Sequence, residues 1–438
     1  MKGKEYLPES IINLIKLEKD FDAIRAFRYK DTSSWIRVKN YLYNLTLNSA
    51  VNVGNFSVKE FFTKNGVTLI AISLKNYLLN AIDKKEKTLF VSAGSGLFYH
   101  KEEVLDTFLP KYINLDESIY LLSGDHVEKL IKFKEYITKN RAIIYSYLVG
   151  PIKVILTKLF ARFIKFDINS DIIEFLKENG MDTTKEDLQK IHANFIITIY
   201  LYKLFLLPFK IKKAYIISAY SNSEIIYLLK KRGIEVIELQ HGIIGSAHRA
   251  YNYAKKDALL PAPQKIDVYN NFWKEELIKA GFFKAEDINV VGRWKYDLID
   301  KNLTIFDNRY LLFTGQGGFY EKIIKLFNKA NRYLEDNRLK VLYLPHPNET
   351  KEMINRLKKE ITNPNVIVLE QNKKYTTEQY IYNSLAHISV YSSCHFDTMH
   401  YKDKTYIFDI LKDNPMNYYI KNFPNSFIPI KKLDDIKI

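Results

Sequence analysis

Ser392 and Ser393 close a short apolar run inside SLAHISVYSSCHFDTMHY (384–401), and apolar residues at helical spacing, Phe396 and Met399, follow at once. A strand that stops at two hydroxyls where a helix begins brings backbone N–H groups and both side chains to one spot. That geometry suits a phosphate oxygen, because a helix start carries unpaired donors and a partial positive charge. An ordinary helix cap on a βα turn is the plain alternative. A second run, in YLPHPNE (343–349), delivers His346 and Pro347 to a loop. A third, in YLLFTGQGGFY (310–320), ends in Gly315, Gln316, Gly317 and Gly318, where missing side chains let backbone approach a ligand. A fourth, INVVGRWKYD (288–297), ends in Gly292 and Arg293, a cation fit for phosphate.

A separate polar cluster follows EVIEL (235–239). Gln240, His241 and Gly242 come first, then His248, Arg249 and Tyr251. Two imidazoles seven residues apart with a guanidinium and a phenol, all just past a strand end, can serve as base, phosphate donor and sugar ligands. His241 is the first choice for a general base and His248 the second, with Gln240, Arg249 and Tyr251 on the acceptor. The plain alternative is that His241 caps a turn.

The elements that must position these residues alternate in type. KAYIISAYSNSEIIYLLKKRGIEVIELQHG (213–242) reads strand, turn, helix, glycine stop, strand, which signals a parallel sheet. From DVYN (267–270) onward strand and helix patterns repeat through KVLYLPHPNE, NVIVLE, HISVYSS and KTYIFDI (404–410), the last expected strand. Helical patterns at 9–28, 33–47 and 56–82 lead the chain, before TLFVSAGSGLFYH (88–100). The expectation is two doubly wound α/β domains. One, 1–260, is Rossmann-like with a helical N-terminal part and takes the acceptor. The other, 261–438, is Rossmann-like and takes the donor nucleotide; the boundary falls near Pro261 and Pro263.

Composition narrows the partners. The chain has 438 residues, 47% of them hydrophobic and 14% aromatic, enough for two packed cores. A formal charge of +16 implies an anionic partner. The charges are spread among apolar residues and no nucleic-acid-binding motif is visible, so nucleic acid is not the expected partner. Cys394 is the single cysteine, which excludes an internal disulfide and a cysteine zinc site and fits a reducing cytosol. The first fifteen residues lack a signal peptide's apolar core. FIITIYLYKLFLLPFKI (195–211) is broken by Lys203 and Pro208 and reads as a buried helix rather than a bilayer span. PIKVILTKLFARFIKF (151–166) interleaves Lys153, Lys158, Arg162 and Lys165 with large apolar side chains. It reads as a solvated basic helix or as one resting on anionic headgroups.

No Asp-x-Asp pair stands at a strand end, so charge on a leaving phosphate would be offset by backbone donors, hydroxyls and cations without a metal. The two halves, His346-Pro347 and Ser392-Ser393 resemble the GT-B glycosyltransferases of bacterial surface polysaccharide synthesis. In the sialyl- and polysialyltransferases of that group a His-Pro pair and a Ser-Ser or Ser-Thr pair bind the CMP donor. ISVYSSCHFD is also similar to a segment of teichoic-acid CDP-glycerol glycerophosphotransferases, whose His-Gly segment resembles His241-Gly242; those enzymes have Asp where this chain has Val390. The acidic base motif of the sialyltransferases has no counterpart here.

The resemblance implies a GT-B fold, two Rossmann-like domains facing a central cleft. It also implies a metal-independent transferase with no cofactor beyond its nucleotide-sugar substrate, a CMP-sugar first. The acceptor would be a capsule-type glycan or glycolipid, and the location cytoplasmic, peripheral on the inner face of the plasma membrane. A CDP-polyol phosphotransferase is the second expectation, a non-catalytic basic protein on nucleic acid or membrane the third, and a nucleotide-sugar 2-epimerase the fourth.

Overall fold

The computed structural model describes residues 7–46, 63–93, 96–100, 103–109, 114–123, 127–346, 349–370, 374–411 and 414–437. Its chain divides into two compact units, Glu9–Gly292 and Arg293–Ile438.

The first unit is built on seven parallel strands: β1 (Lys87–Ala93), β2 (Ser118–Ser123), β3 (Ile143–Tyr145), β4 (Ile211–Ile217), β5 (Glu235–Leu239), β6 (Lys265–Val268) and β7 (Ile288–Val290). Their order across the sheet is β7-β6-β5-β4-β1-β2-β3. The chain winds outward from β1 to β3, then returns to the other side of β1 and winds outward again. Alternate side chains feed two cores. Leu89 and Val91 of β1 join one with Ile119 and Leu121, while Phe90 joins the other with Tyr120 and Leu122. Both faces of the central strands are covered, so β1 and β2 are largely buried apolar runs.

Helices α3 (Lys64–Ile82) and α5 (Lys185–Leu206) contribute to the cores on this sheet, and α1 (Glu9–Asp20), α2 (Trp35–Thr46) and α4 (Gly150–Phe160) pack on other helices. Thr63 and Thr184 cap α3 and α5 by accepting from Gly66 and Asp187 N–H groups. The apolar window at 195–211 is the C-terminal half of α5 and its exit turn, and no described helix is long and apolar enough to cross a membrane.

The second unit has six parallel strands: β8 (Tyr310–Thr314), β9 (Lys340–Leu344), β10 (Val366–Val368), β11 (Ala386–Ser389), β12 (Thr405–Phe408) and β13 (Phe427–Ile430), in the order β10-β9-β8-β11-β12-β13. That is the doubly wound Rossmann order. Leu311 and Phe313 face one core with Phe327 and Leu357; Tyr310 and Leu312 face the other with Tyr380 and Ile381. Each fully buried side chain of this kind stabilises by roughly 1.5–3 kcal/mol.

Two expectations change. Strands β6 and β7 pair with the first sheet, so Pro261 and Pro263 lie in a loop inside that unit and the units divide at Gly292–Arg293, past the expected 260–261. KTYIFDI is followed by one more strand, FIPI; Pro429 is tolerated there because β13 is an edge.

Candidate functional site

In a doubly wound sheet ligands bind beyond the carboxyl ends of the strands, where the winding reverses. In the second unit that point lies between β8 and β11, which pair directly. Three of the expected turns leave neighbouring strands there: Gly315–Gly318 from β8, His346 from β9 and Ser392–Ser393 beyond β11.

Gly315 can be nothing larger. A Cβ there would stand 2.5 Å from the Tyr343 hydroxyl and 2.8 Å from the Glu349 carboxylate. Gly317 and Gly318 have φ of 71° and 126°, which favours glycine, and helix α6 (Tyr320–Lys329) starts just after them. The Gln316 amide donates to the Gly315 carbonyl, 3.1 Å. Glu349, buried, accepts from the Tyr343 hydroxyl at 2.7 Å and from the His346 backbone N–H at 2.8 Å, so this carboxylate sets the path of the His346 loop. Pro347 lies outside the described residues. Ser392 is buried and its hydroxyl accepts from Cys394 N–H at 3.2 Å, closing a local turn ahead of the helix, while Ser393, the residue at the cap position, is exposed and makes no side-chain cap bond. The helix after them is short, Cys394–Thr398.

A floor of imidazoles and hydroxyls lies under these turns. Thr314 Oγ1 is 2.9 Å from His387 Nε2, whose Nδ1 is 2.9 Å from Thr405 Oγ1. His395 Nδ1 reaches the same hydroxyl at 2.7 Å, and Ser389 donates to the Thr314 carbonyl at 2.7 Å.

Arg293 is not the expected phosphate donor. Its guanidinium pairs with Asp397 and lies 3.4 Å from Glu378, while Lys295 reaches Glu378 at 2.9 Å and the Tyr296 hydroxyl donates to Asp397 at 3.0 Å. Burial alone would raise the pKa of Glu378, but Lys295 and Arg293 hold it down to about 2. The cation is spent on neutralising two buried carboxylates.

The first unit gathers the histidine cluster beyond β4 and β5, on the side where its own winding reverses. Tyr220, in the turn Ala219–Ser221 after β4, joins the two imidazoles. Its hydroxyl is 3.3 Å from His241 Nε2, and its ring lies 5.8 Å from the His241 ring and 5.4 Å from that of His248. His241 Nδ1 is buried and has no hydrogen-bond partner among the described residues. His248 Nδ1 accepts from Ala250 N–H at 3.2 Å, so a neutral ring carries its proton on Nε2. Burial first, and Arg249 next, push the pKa of His241 down to about 4; the same causes, with His241 itself and Lys39, hold His248 well below its ordinary value. Both imidazoles are neutral at physiological pH.

Arg249 donates from Nε to Asn40 and lies 4.7 Å from the Tyr43 ring and 5.6 Å from that of Tyr220. Among the described residues no carboxylate pairs with it. A half-buried guanidinium set between two aromatic rings, without a carboxylate, is ready for an anion.

Two expected acceptor ligands are structural instead. Tyr251 is buried and its hydroxyl donates to Glu238 at 2.6 Å. Gln240 is buried with its amide shared between the Gly242 carbonyl, 2.9 Å, and the Tyr269 N–H, 2.8 Å. Sequence reasoning missed Tyr220 and Glu238. A charge inside the apolar run EVIEL was the available signal for Glu238, whose pKa burial pushes up to about 7.

The loop carrying His248 is tied to the N-terminal helices. Glu18 of α1 accepts from Lys39 Nζ and Trp35 Nε1 of α2, both at 2.7 Å, and from Ala254 N–H at 2.7 Å. Lys39 also donates to the Asn252 carbonyl and sits 3.9 Å from the Tyr253 ring. Both charges are fully buried, so Lys39→Met leaves Glu18 as an uncompensated buried carboxylate and should cost about 3–5 kcal/mol in urea unfolding. A loss under about 1 kcal/mol would show that the pair anchors nothing.

No family model and no curated protein matches the sequence. Among solved structures the chain is similar to UDP-GlcNAc 2-epimerase from Methanocaldococcus jannaschii, at 12% identity and a TM-score of 0.43 over 78% of this chain and 88% of that one. The Neisseria meningitidis UDP-GlcNAc 2-epimerase bound to UDP-GlcNAc gives 13%, 0.39, 75% and 84% in the same order. The glycotransferase of kitacinnamycin gives 8%, 0.43, 81% and 88%. Among the described residues no group of three or more His, Cys, Asp or Glu is placed to hold a metal ion.

Proposed function

We propose that the protein is a GT-B glycosyltransferase that moves a sugar from a nucleotide-activated donor, a CMP-sugar first, to a bacterial surface glycan or glycolipid. The observation that carries this reading is the neutral pair His241 and His248 beside Arg249, which has no carboxylate partner among the described residues. A neutral imidazole whose buried nitrogen has no partner among the described residues can take the acceptor hydroxyl's proton as the bond to the sugar forms, while the sugar's bond to the donor phosphate breaks and the nucleotide leaves with that electron pair. Arg249 depresses the basicity of His241, so an acceptor anion neutralising that guanidinium would make the imidazole a stronger base as it binds. The Gly315–Gly318 turn, His346 and Ser393 are assigned to the donor nucleotide, with backbone N–H groups facing the phosphates.

Thermal shift with CMP, CDP, UDP and GDP tests the reading. A nucleotide present at a hundred times its Kd should stabilise the fold by about 2.7 kcal/mol. His346→Ala should weaken that nucleotide by about 1–3 kcal/mol. A flat response to all four would remove the donor site, and unchanged affinity in the variant would remove His346 from it. Ser392-Ser393 and Phe396-Asp397 also keep the polyol-phosphotransferase reading in play; its product contains a phosphodiester in place of a glycosidic bond. A 2-epimerase would turn over the nucleotide-sugar with no acceptor added.

A further inference from the structure

Three segments of the first unit leave large apolar side chains in solvent. Helix α4 buries none of its residues, and Ile152, Ile155 and Leu159, at helical spacing, are about half exposed. Phe160 and Phe163 continue the stripe at 48% and 65% exposure. Leu204 and Leu207, at the end of α5, are 67% and 72% exposed. On α3 the stripe Leu74, Leu78 and Ile82 is exposed along its length, Ile82 to 74%.

These segments are neighbours. Asn194 of α5 donates to Thr157 of α4 at 3.2 Å, and Gln189 donates to the carbonyls of Ala161 and Ile164, so α4 and α5 run antiparallel. Tyr77 of α3 donates to the Phe205 carbonyl at 3.2 Å and packs its ring 5.0 Å from that of Phe205.

Their charge is of one sign. Residues 64–82, 150–166 and 194–210 hold eight lysines and arginines and no aspartate or glutamate. Lys158, Arg162, Lys165 and Lys203 are exposed beside the apolar side chains. An apolar stripe flanked by cations, with Asp83 and Asp167 standing just past the ends of these segments, matches the two layers of an anionic bilayer surface, acyl chains below and charged headgroups above. A protein partner would need acidic residues around an apolar strip; lipid supplies both from one component. We propose that α4, the end of α5 and the outer stripe of α3 form a docking surface for anionic lipid, placing the first unit flat on a membrane. This goes beyond the transferase reading and stands or falls separately from it.

Co-sedimentation of the full chain with vesicles of phosphatidylcholine alone, or with phosphatidylglycerol added, provides the test at low salt. Binding is expected only to the anionic vesicles. Neutralising Lys158, Arg162 and Lys165 together to Gln should lower partitioning about a hundredfold, at about fivefold per cation. L159S/F163S should abolish binding with the circular dichroism spectrum and the urea midpoint retained, which separates loss of docking from loss of the fold. Binding to neither vesicle, or equally to both, overturns the proposal. So does a dimer in light scattering that L159S/F163S dissolves without vesicle binding, since the surface would then belong to a second copy.

Discussion

His241→Ala should lower turnover by about 10²–10⁴ while the nucleotide thermal shift stays as in the parent protein. The expectation follows from the surroundings of the ring. Tyr220 holds its Nε2 side, Nδ1 is buried without a partner among the described residues, and burial with Arg249 keeps the imidazole uncharged. A group that only filled space would alter stability and leave the rate of the folded enzyme intact. His248 differs because the Ala250 N–H already occupies its Nδ1, so His248→Ala should cut turnover less. Full activity of His241→Ala against a glycan acceptor would end its candidacy as base. A fall equal in both variants would point instead to Tyr220, which touches both rings.

Lowering the pH from 7 to 5 should reduce stability by roughly 4 kcal/mol, the balance of roughly 6 lost through three histidines remote from His241 and roughly 2 returned by one buried carboxyl. His192, His387 and His395 are buried in the fold, and burial drives their pKa values down, to about 4 for His192, to about 3 for His395, and well below the ordinary value for His387. Unfolded, each titrates near its ordinary value. Between that value and the folded one the unfolded chain binds more protons, so stability is present at pH 7 and is lost as pH falls. Each such histidine costs about 1.4 kcal/mol per pH unit below 6.5. Glu238 works the opposite way, because its raised pKa makes the folded state take up a proton as pH falls from about 7. One carboxyl offsets about one histidine at most, and against a total of about 5–15 kcal/mol the remainder is still large. Urea midpoints at the two pH values measure it. Equal midpoints would show that the buried imidazoles are charged or solvated.

The strand ends were legible because their side chains obey short-range rules. Tyr310–Thr314 and Lys340–Leu344 read as apolar runs, and the glycines after Thr314 announce backbone that must pass close to Tyr343 and Glu349. Which polar residues stay available for a ligand was not legible, since that depends on partners far along the chain. Arg293 meets Asp397 across 104 positions, and Tyr251 meets a carboxylate that a strand pattern hides. The unit boundary was displaced for a related reason. Proline punctuates a loop whether or not the next strand joins the same sheet, and only the β5–β6 pairing decides it. Tyr220 escaped notice because a tyrosine in a polar turn has no spacing that ties it to histidines beyond the next strand.

The imidazole–hydroxyl floor has a consequence for how a ligand is received. Thr314 and Ser389 are the last residues of the two strands that flank the reversal of winding, and they are bonded to each other and, through His387, to Thr405 on the next strand. Sliding either strand would break these links together, so the cost of ordering that ledge is met when the protein folds. An incoming nucleotide then has only loop side chains left to immobilise, and more of its contact energy survives as affinity.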